Sequence, residues 1–194
     1  MTNSKGLVKI KVKPGKIYVL RNPMHTDALV KIGRTQRSSE SRATQISAAT
    51  GVPYKFEVLF EEDVVDCELA EKLIHKNLAN FRVNSKREFF QLPLKLAVKA
   101  VFETCLLVNK PILSEVSRLV ITLNSSAHAE EFRDLILPFK GGGTAIYIIF
   151  ENKNGVAKIL LSESWMLNCT PELLVLLRQK SWVEDVYLVA ALPN

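Results

Sequence analysis

Alternation of apolar and polar positions organises the first third of the chain. Val8, Ile10 and Val12 alternate with Lys9, Lys11 and Lys13, which predicts a basic arm or short strand over residues 1–13. Pro14-Gly15 then marks a turn. The stretches KIYVLR (16–21) and ALVKIGR (28–34) are rich in β-branched side chains and predict two strands. The segment NPMHTD joins them as a medium-length hairpin loop. Ser38 or Ser39 is placed to cap a helix reaching about Thr50, where Gly51-Val52-Pro53 stops it. YKFEVLF (54–60) reads as a third strand. From Asp63 to Phe81 the apolar residues Cys67, Leu69, Ala70, Leu73, Ile74, Leu78 and Phe81 recur at helical spacing. Glu71 sits at the margin of that apolar arc, with His75 one turn later. A basic loop, Arg82 to Arg87, leads into Glu88-Phe89-Phe90, and Pro93 opens a helix to about Val108 that Asn109-Lys110-Pro111 closes.

The remainder carries a different pattern. SRLVITL (117–123) predicts a strand, HAEEFRDLILPF (128–139) an amphipathic helix, and Lys140–Gly143 a loop. TAIYIIFE (144–151) and VAKILLS (156–162) form a hairpin across Asn152–Gly155, and PELLVLLRQK (171–180) is a helix capped by Thr170 before a last strand over 183–190. The order βαββαβ matches a split-βαβ, ferredoxin-like layer. The chain therefore reads as α+β with two domains. A first domain spans about 14–108, residues 109–116 link, and a second, ferredoxin-like domain fills 117–194.

Charge sharpens this division. The net +6 averages unlike halves: residues 1–110 carry +8 and residues 111–194 carry −2. Within residues 1–42, ten Lys and Arg face only Asp27 and Glu40. Such a block suits a polyanion, whose phosphates release counterions on contact with cations. No apolar run is long enough to span a bilayer and the first residues have no signal-peptide pattern, so a cytoplasmic location without membrane contact is expected. Cys67, Cys105 and Cys169 are odd in number and widely spaced, which fits buried small hydrophobes better than disulfides or a zinc site.

Single residues admit plain readings. Tyr18 on an alternating strand is ordinary half-buried packing, Lys31 between Val30 and Ile32 a solvent-facing position, Arg42 a solvated helix charge, and Glu71 with His75 an exposed pair. Taken in order, however, Lys16-Ile17-Tyr18, Lys31-Ile32-Gly33, Arg42, Gly51-Val52-Pro53, Glu71 with His75, and Glu88-Phe89-Phe90 resemble the GIY-YIG nuclease superfamily. The closer match is its phage and bacterial DNA-binding branch, which reads KIG in place of YIG. The resemblance covers residues 16–90 and implies a small antiparallel sheet flanked by helices. For an endonuclease it implies Tyr18 as base or water orienter, Arg42 as phosphate clamp, and Glu71 as the ligand of one Mg²⁺. His75 would orient water or meet a phosphate, and Glu88 is an alternative acid whose plain reading is a salt bridge with Lys86 or Arg87. Lys31 replaces the second tyrosine of the family name and Lys16 its first glycine. Lys31 then either lowers the pKa of Tyr18 or binds phosphate directly. The DNA-binding face implied is Lys16, Arg21, Lys31, Arg34, Arg37, Arg42, Arg82, Lys86 and Arg87.

The second half, with KGGGTAIYIIF and the helix of PELLVLLRQ, resembles the C-terminal domain of bacterial replicative polymerase α subunits. That resemblance implies a protein-partner module. Three functions stay open: a Mg²⁺-dependent endonuclease, a non-catalytic DNA-binding module that recruits a partner through residues 117–194, and a scaffold whose basic face meets an acidic protein.

Overall fold

A computed structural model describes residues 7–50, 54–152 and 155–191. They fall into two compact units: Lys13–Asn109, and residues 7–12 together with 110–191. Lys5, the Gly51-Val52-Pro53 stop and the tip of the 152–155 turn lie outside the described residues.

In the first unit, β2 (Gly15–Arg21) and β3 (Leu29–Thr35) form the expected antiparallel hairpin. β4 (Glu57–Val64) flanks β2, and β5 (Phe89–Gln91) flanks β3, giving the antiparallel order β4-β2-β3-β5. Helix α1 (Ser39–Thr50) starts where the Ser38 hydroxyl accepts from the Ser41 N–H. Its Ala43 and Ile46 pack on Tyr18, Leu20 and Phe56. Helix α2 (Cys67–Asn77) begins later than the periodicity suggests. β4 keeps pairing with β2 as far as Val64, and the Asp66 carboxylate then accepts from the N–H groups of Glu68 and Leu69 to cap the helix. Helix α3 (Leu94–Leu113) runs through Pro111 instead of closing at 109–111. Its last turn survives because the Lys110 carbonyl accepts from the Ser114 N–H and the Pro111 carbonyl from the Ser114 hydroxyl.

The second unit follows the order β6 (Val116–Leu123), α4 (Ala129–Ile136), β7 (Lys140–Asn152), β8 (Gly155–Leu160), α5 (Pro171–Arg178), β9 (Val183–Ala191). The α+β class and the βαββαβ succession hold, but the split-βαβ strand order does not. The sheet runs β1-β9-β6-β7-β8, with β6 and β7 as direct parallel neighbours. A split unit would insert β8 between them. Burial explains the difference: β6 has the buried run Leu119–Ile121, whereas every residue of β8 is exposed, as suits an edge. The basic arm supplies β1 (Leu7–Ile10), which pairs with β9 in this sheet. Lys140–Gly143, expected as a loop, opens β7 because the backbone of Leu167 and Asn168 lies against Gly142 with no room for a β-carbon.

With β1 removed, the first unit holds 15 Lys and Arg against 11 Asp and Glu, a net of +4. Lys9, on β1, and Lys11, just after it, belong to the second unit, which offsets the acidity expected there. The three cysteines are buried and unpaired. Burial pushes the Cys105 and Cys169 thiols up to about 12, consistent with inert core positions. No helix among the described residues is long and apolar enough to cross a membrane.

Asn109 ties α3 to the sheet, its Oδ1 accepting from the buried Val65 N–H at 2.9 Å and its Nδ2 donating to the Asp63 carbonyl at 3.2 Å. Asn109→Ala leaves that N–H unsatisfied, so urea unfolding should show a loss of about 1–3 kcal/mol. An unchanged midpoint would refute this anchoring role.

Candidate nucleic-acid interface

The site grows from the alternation of β2 and β3. Tyr18 pairs in register with Gly33 and Leu20 with Lys31, so these four share one face, the one covered by α1. Ile17 pairs with Arg34 and Val19 with Ile32, on the opposite face. Gly15 on that face meets Cys67 of α2. The two helices thus cover opposite sides of the sheet, and the expected site residues divide between them.

On the α1 side, Tyr18 is 1% exposed. Its ring lies over Gly33, where a β-carbon would stand 2.6 Å from the hydroxyl. Arg42 stands close enough to that hydroxyl for its charge to act on it, and its guanidinium donates to Gln45 Oε1 at 2.7 Å. Burial raises the Tyr18 pKa above its ordinary 10.0. The charges of Glu88 and Glu71 add to the rise, and Arg42 opposes it without reversing it. A lysine-lowered tyrosine, one of the two roles left open for Lys31, is not what this environment produces. The Lys31 ammonium instead meets Glu88 Oε2 at 2.6 Å. Glu88 therefore does form a salt bridge, but with Lys31 rather than with its chain neighbours.

On the α2 side, Glu71 Oε2 accepts from Arg34 Nε at 2.9 Å, and the same guanidinium reaches Glu68 Oε1 at 3.4 Å. Glu68 also pairs with Lys13. His75 packs against Phe90, and its Nε2 donates to the Ile32 carbonyl at 3.0 Å. β5 pairs with β3 only over Leu29–Lys31, so His75 satisfies a carbonyl just past the end of that ladder. Sequence reasoning missed the Arg34–Glu71 pair. Both residues stood out, but only the fold shows that strand and helix bring them together.

The Mg²⁺ implied for Glu71 would share its carboxylate with a cation already there. A hydrated Mg²⁺ held by one or two carboxylates needs an oxygen free of other cations. The Arg34 guanidinium holds one of the two Glu71 oxygens, Oε2, and Glu71 is near enough for its charge to act on Tyr18. No group of three His, Cys, Asp or Glu side chains gathers among the described residues.

The nine expected DNA-binding cations sort into two sets. Lys16 is 2.7 Å from Glu61 and 2.9 Å from Asp63, and Arg21 lies 3.3 Å from Asp27 and 3.5 Å from Glu57. Lys31 and Arg34 are paired as above. Arg37, Arg42, Arg82, Lys86 and Arg87 have no carboxylate partner among the described residues. Lys31, Arg82, Lys86 and Arg87 wall a cleft of about 620 Å³. Ile46, one turn after Arg42, lines the same cleft. The one carboxylate among its described lining residues, Glu88, is already taken by Lys31. Arg82 is fixed by donating to the Arg87 carbonyl at 2.9 Å and by lying over the Phe90 ring.

Residues 15–105 match the family model of the T5orf172 domain, a domain found in phage and bacterial nuclease-like proteins. The match lies within the first unit and covers just under half of the chain. No curated protein and no solved structure matches the chain.

The folded chain holds the Tyr18 proton more tightly than the unfolded chain does. This contribution to stability is complete below the ordinary value of 10.0 and is lost as pH rises through the higher folded value. In a spectrophotometric titration, one of the four tyrosines should ionise late, and Tyr18→Phe should remove that late component. Disappearance of an early component on Tyr18→Phe would instead identify a lowered pKa suited to a base.

Proposed function

We propose that the first unit is a DNA-binding module that grips the phosphate backbone through the Arg82–Arg87 cleft and does not hydrolyse it. The carrying observation is that cleft, where Glu88 is neutralised from within while Arg82, Lys86 and Arg87 have no acidic partner among the described residues. Such uncompensated cations are what a polyanion displaces counterions to reach. Arg42, on α1 one turn before Ile46 of that cleft, adds a further cation with no carboxylate partner among the described residues. The match to the T5orf172 domain supports a nuclease-related, DNA-binding character.

Two features favour binding over cleavage. Tyr18 is buried with a raised pKa, the reverse of what a general base at neutral pH needs. One oxygen of Glu71, Oε2, is already held by Arg34. Lys16, Arg21, Lys31 and Arg34 then act inside the unit, pinning strands and helices together, and their contribution to DNA contact is secondary.

Fluorescence anisotropy with a labelled duplex should show affinity that falls steeply with salt. Lys86→Ala with Arg87→Ala should weaken binding and reduce the slope of log K against log salt by about 0.9 for each phosphate no longer engaged. Plasmid incubated with the protein and Mg²⁺ should remain uncut. Nicking that disappears in both Glu71→Ala and Arg42→Ala would overturn the non-catalytic reading, and salt-independent binding would overturn the cleft itself.

A further inference from the structure

Beside the basic cleft lies a second one of about 410 Å³, and the two share Asn84, Arg87 and Phe89. The second is aromatic. His25 meets Phe89 edge-on at 5.7 Å and Phe56 edge-on at 6.1 Å, and Phe56 and Phe89 are 6.2 Å apart. Val83, 58% exposed, stands at its rim. His25 Nδ1 is buried and has no hydrogen-bond partner among the described residues.

The loop that carries His25 is built to hold it there. Asn22, fully buried, donates from Nδ2 to the Tyr54 carbonyl at 2.8 Å and accepts at Oδ1 from the Met24 N–H at 2.9 Å. The Asn22 carbonyl accepts from the His25 N–H at 2.9 Å. Phe56 is fixed from the other side, its N–H donating to the Ser47 hydroxyl at 2.9 Å.

We infer that this aromatic cleft receives a single unpaired base of a DNA strand whose phosphates lie in the neighbouring basic cleft. The inference rests on the DNA-binding reading above and adds the feature recognised. A ligand suited to the space is flat and offers a π face to Phe56 and Phe89. It must also reach the cleft from a phosphate near Arg87, which lines both spaces. An extrahelical base meets all three demands, whereas a base stacked within a duplex leaves the cleft unfilled. The volume lies within the range of about 300–1,000 Å³ common for organic ligands.

Three labelled duplexes test this: one fully paired, one with a single bulged nucleotide, and one with an abasic residue at the bulge. The bulged base should bind roughly tenfold more tightly than the abasic bulge, the gain expected for one stacked base. Val83→Trp fills the cleft from its exposed rim, and His25→Ala removes one wall. Both should abolish the difference while affinity for the paired duplex is retained. Equal affinity for the base-containing and abasic bulges overturns the inference and leaves backbone binding standing. A preference that survives Val83→Trp also overturns it. Absence of salt-dependent binding to all three duplexes removes the backbone reading and this inference together.

Discussion

The Tyr18 ring lies across its register partner Gly33, where any side chain would collide with the phenolic oxygen and two ring carbons. This close approach lets a large aromatic side chain sit fully buried on a four-stranded sheet beneath α1. A shift of register by one residue would place Tyr18 against Arg34 or Ile32 and turn it to the other face. The pairing therefore sets which side chains meet α1, and through them where Arg42 and Lys31 can stand. The Lys-Ile-Gly segment is first of all a packing requirement, with its charge disposed around that requirement.

Electrostatics in the first unit follow from the same layering. Cations that alternate onto the strand faces encounter acidic residues from β4, α2 or the segment before β5 and are neutralised there. Cations on the connection into β5 meet none among the described residues. Three of the cations without a carboxylate partner among the described residues, Arg82, Lys86 and Arg87, thus stand together on one short loop. Residues of this loop line both clefts, which couples backbone attraction to whatever the aromatic space accepts.

Much of this is legible in the residues. The hairpin of β2 and β3, the Ser38 and Thr170 caps and the amphipathic α2 rest on local rules, and those rules hold. What depends on partners distant in sequence is less readable. Three consecutive glycines at 141–143 suggest a flexible loop, yet the backbone of Leu167 and Asn168 turns that run into strand. The placement of β8 outside rather than between its neighbours follows from competition for the buried centre, which no single strand reveals. At the site, the motif order groups Tyr18, Arg42, Lys31 and Glu88, and the fold brings these four to one side of the sheet. The same order adds Glu71 to the group, and the fold places it on α2, paired with Arg34. His25 has no evident partner in sequence because Phe56 and Phe89 approach it only in the fold.

The pairing of β1 with β9 gives the second unit a split inheritance. Leu7 is in register with Ala191, so the earliest described strand is matched by the latest, and the entire first unit is spliced between them. During synthesis, Lys13–Asn109 has all its strands available long before β9 emerges, and can close its own sheet at once. β1 must wait until Val183–Ala191 has been made before it finds its partner. The inserted unit is thus the early-folding passenger of a host domain whose outer edge is sealed last.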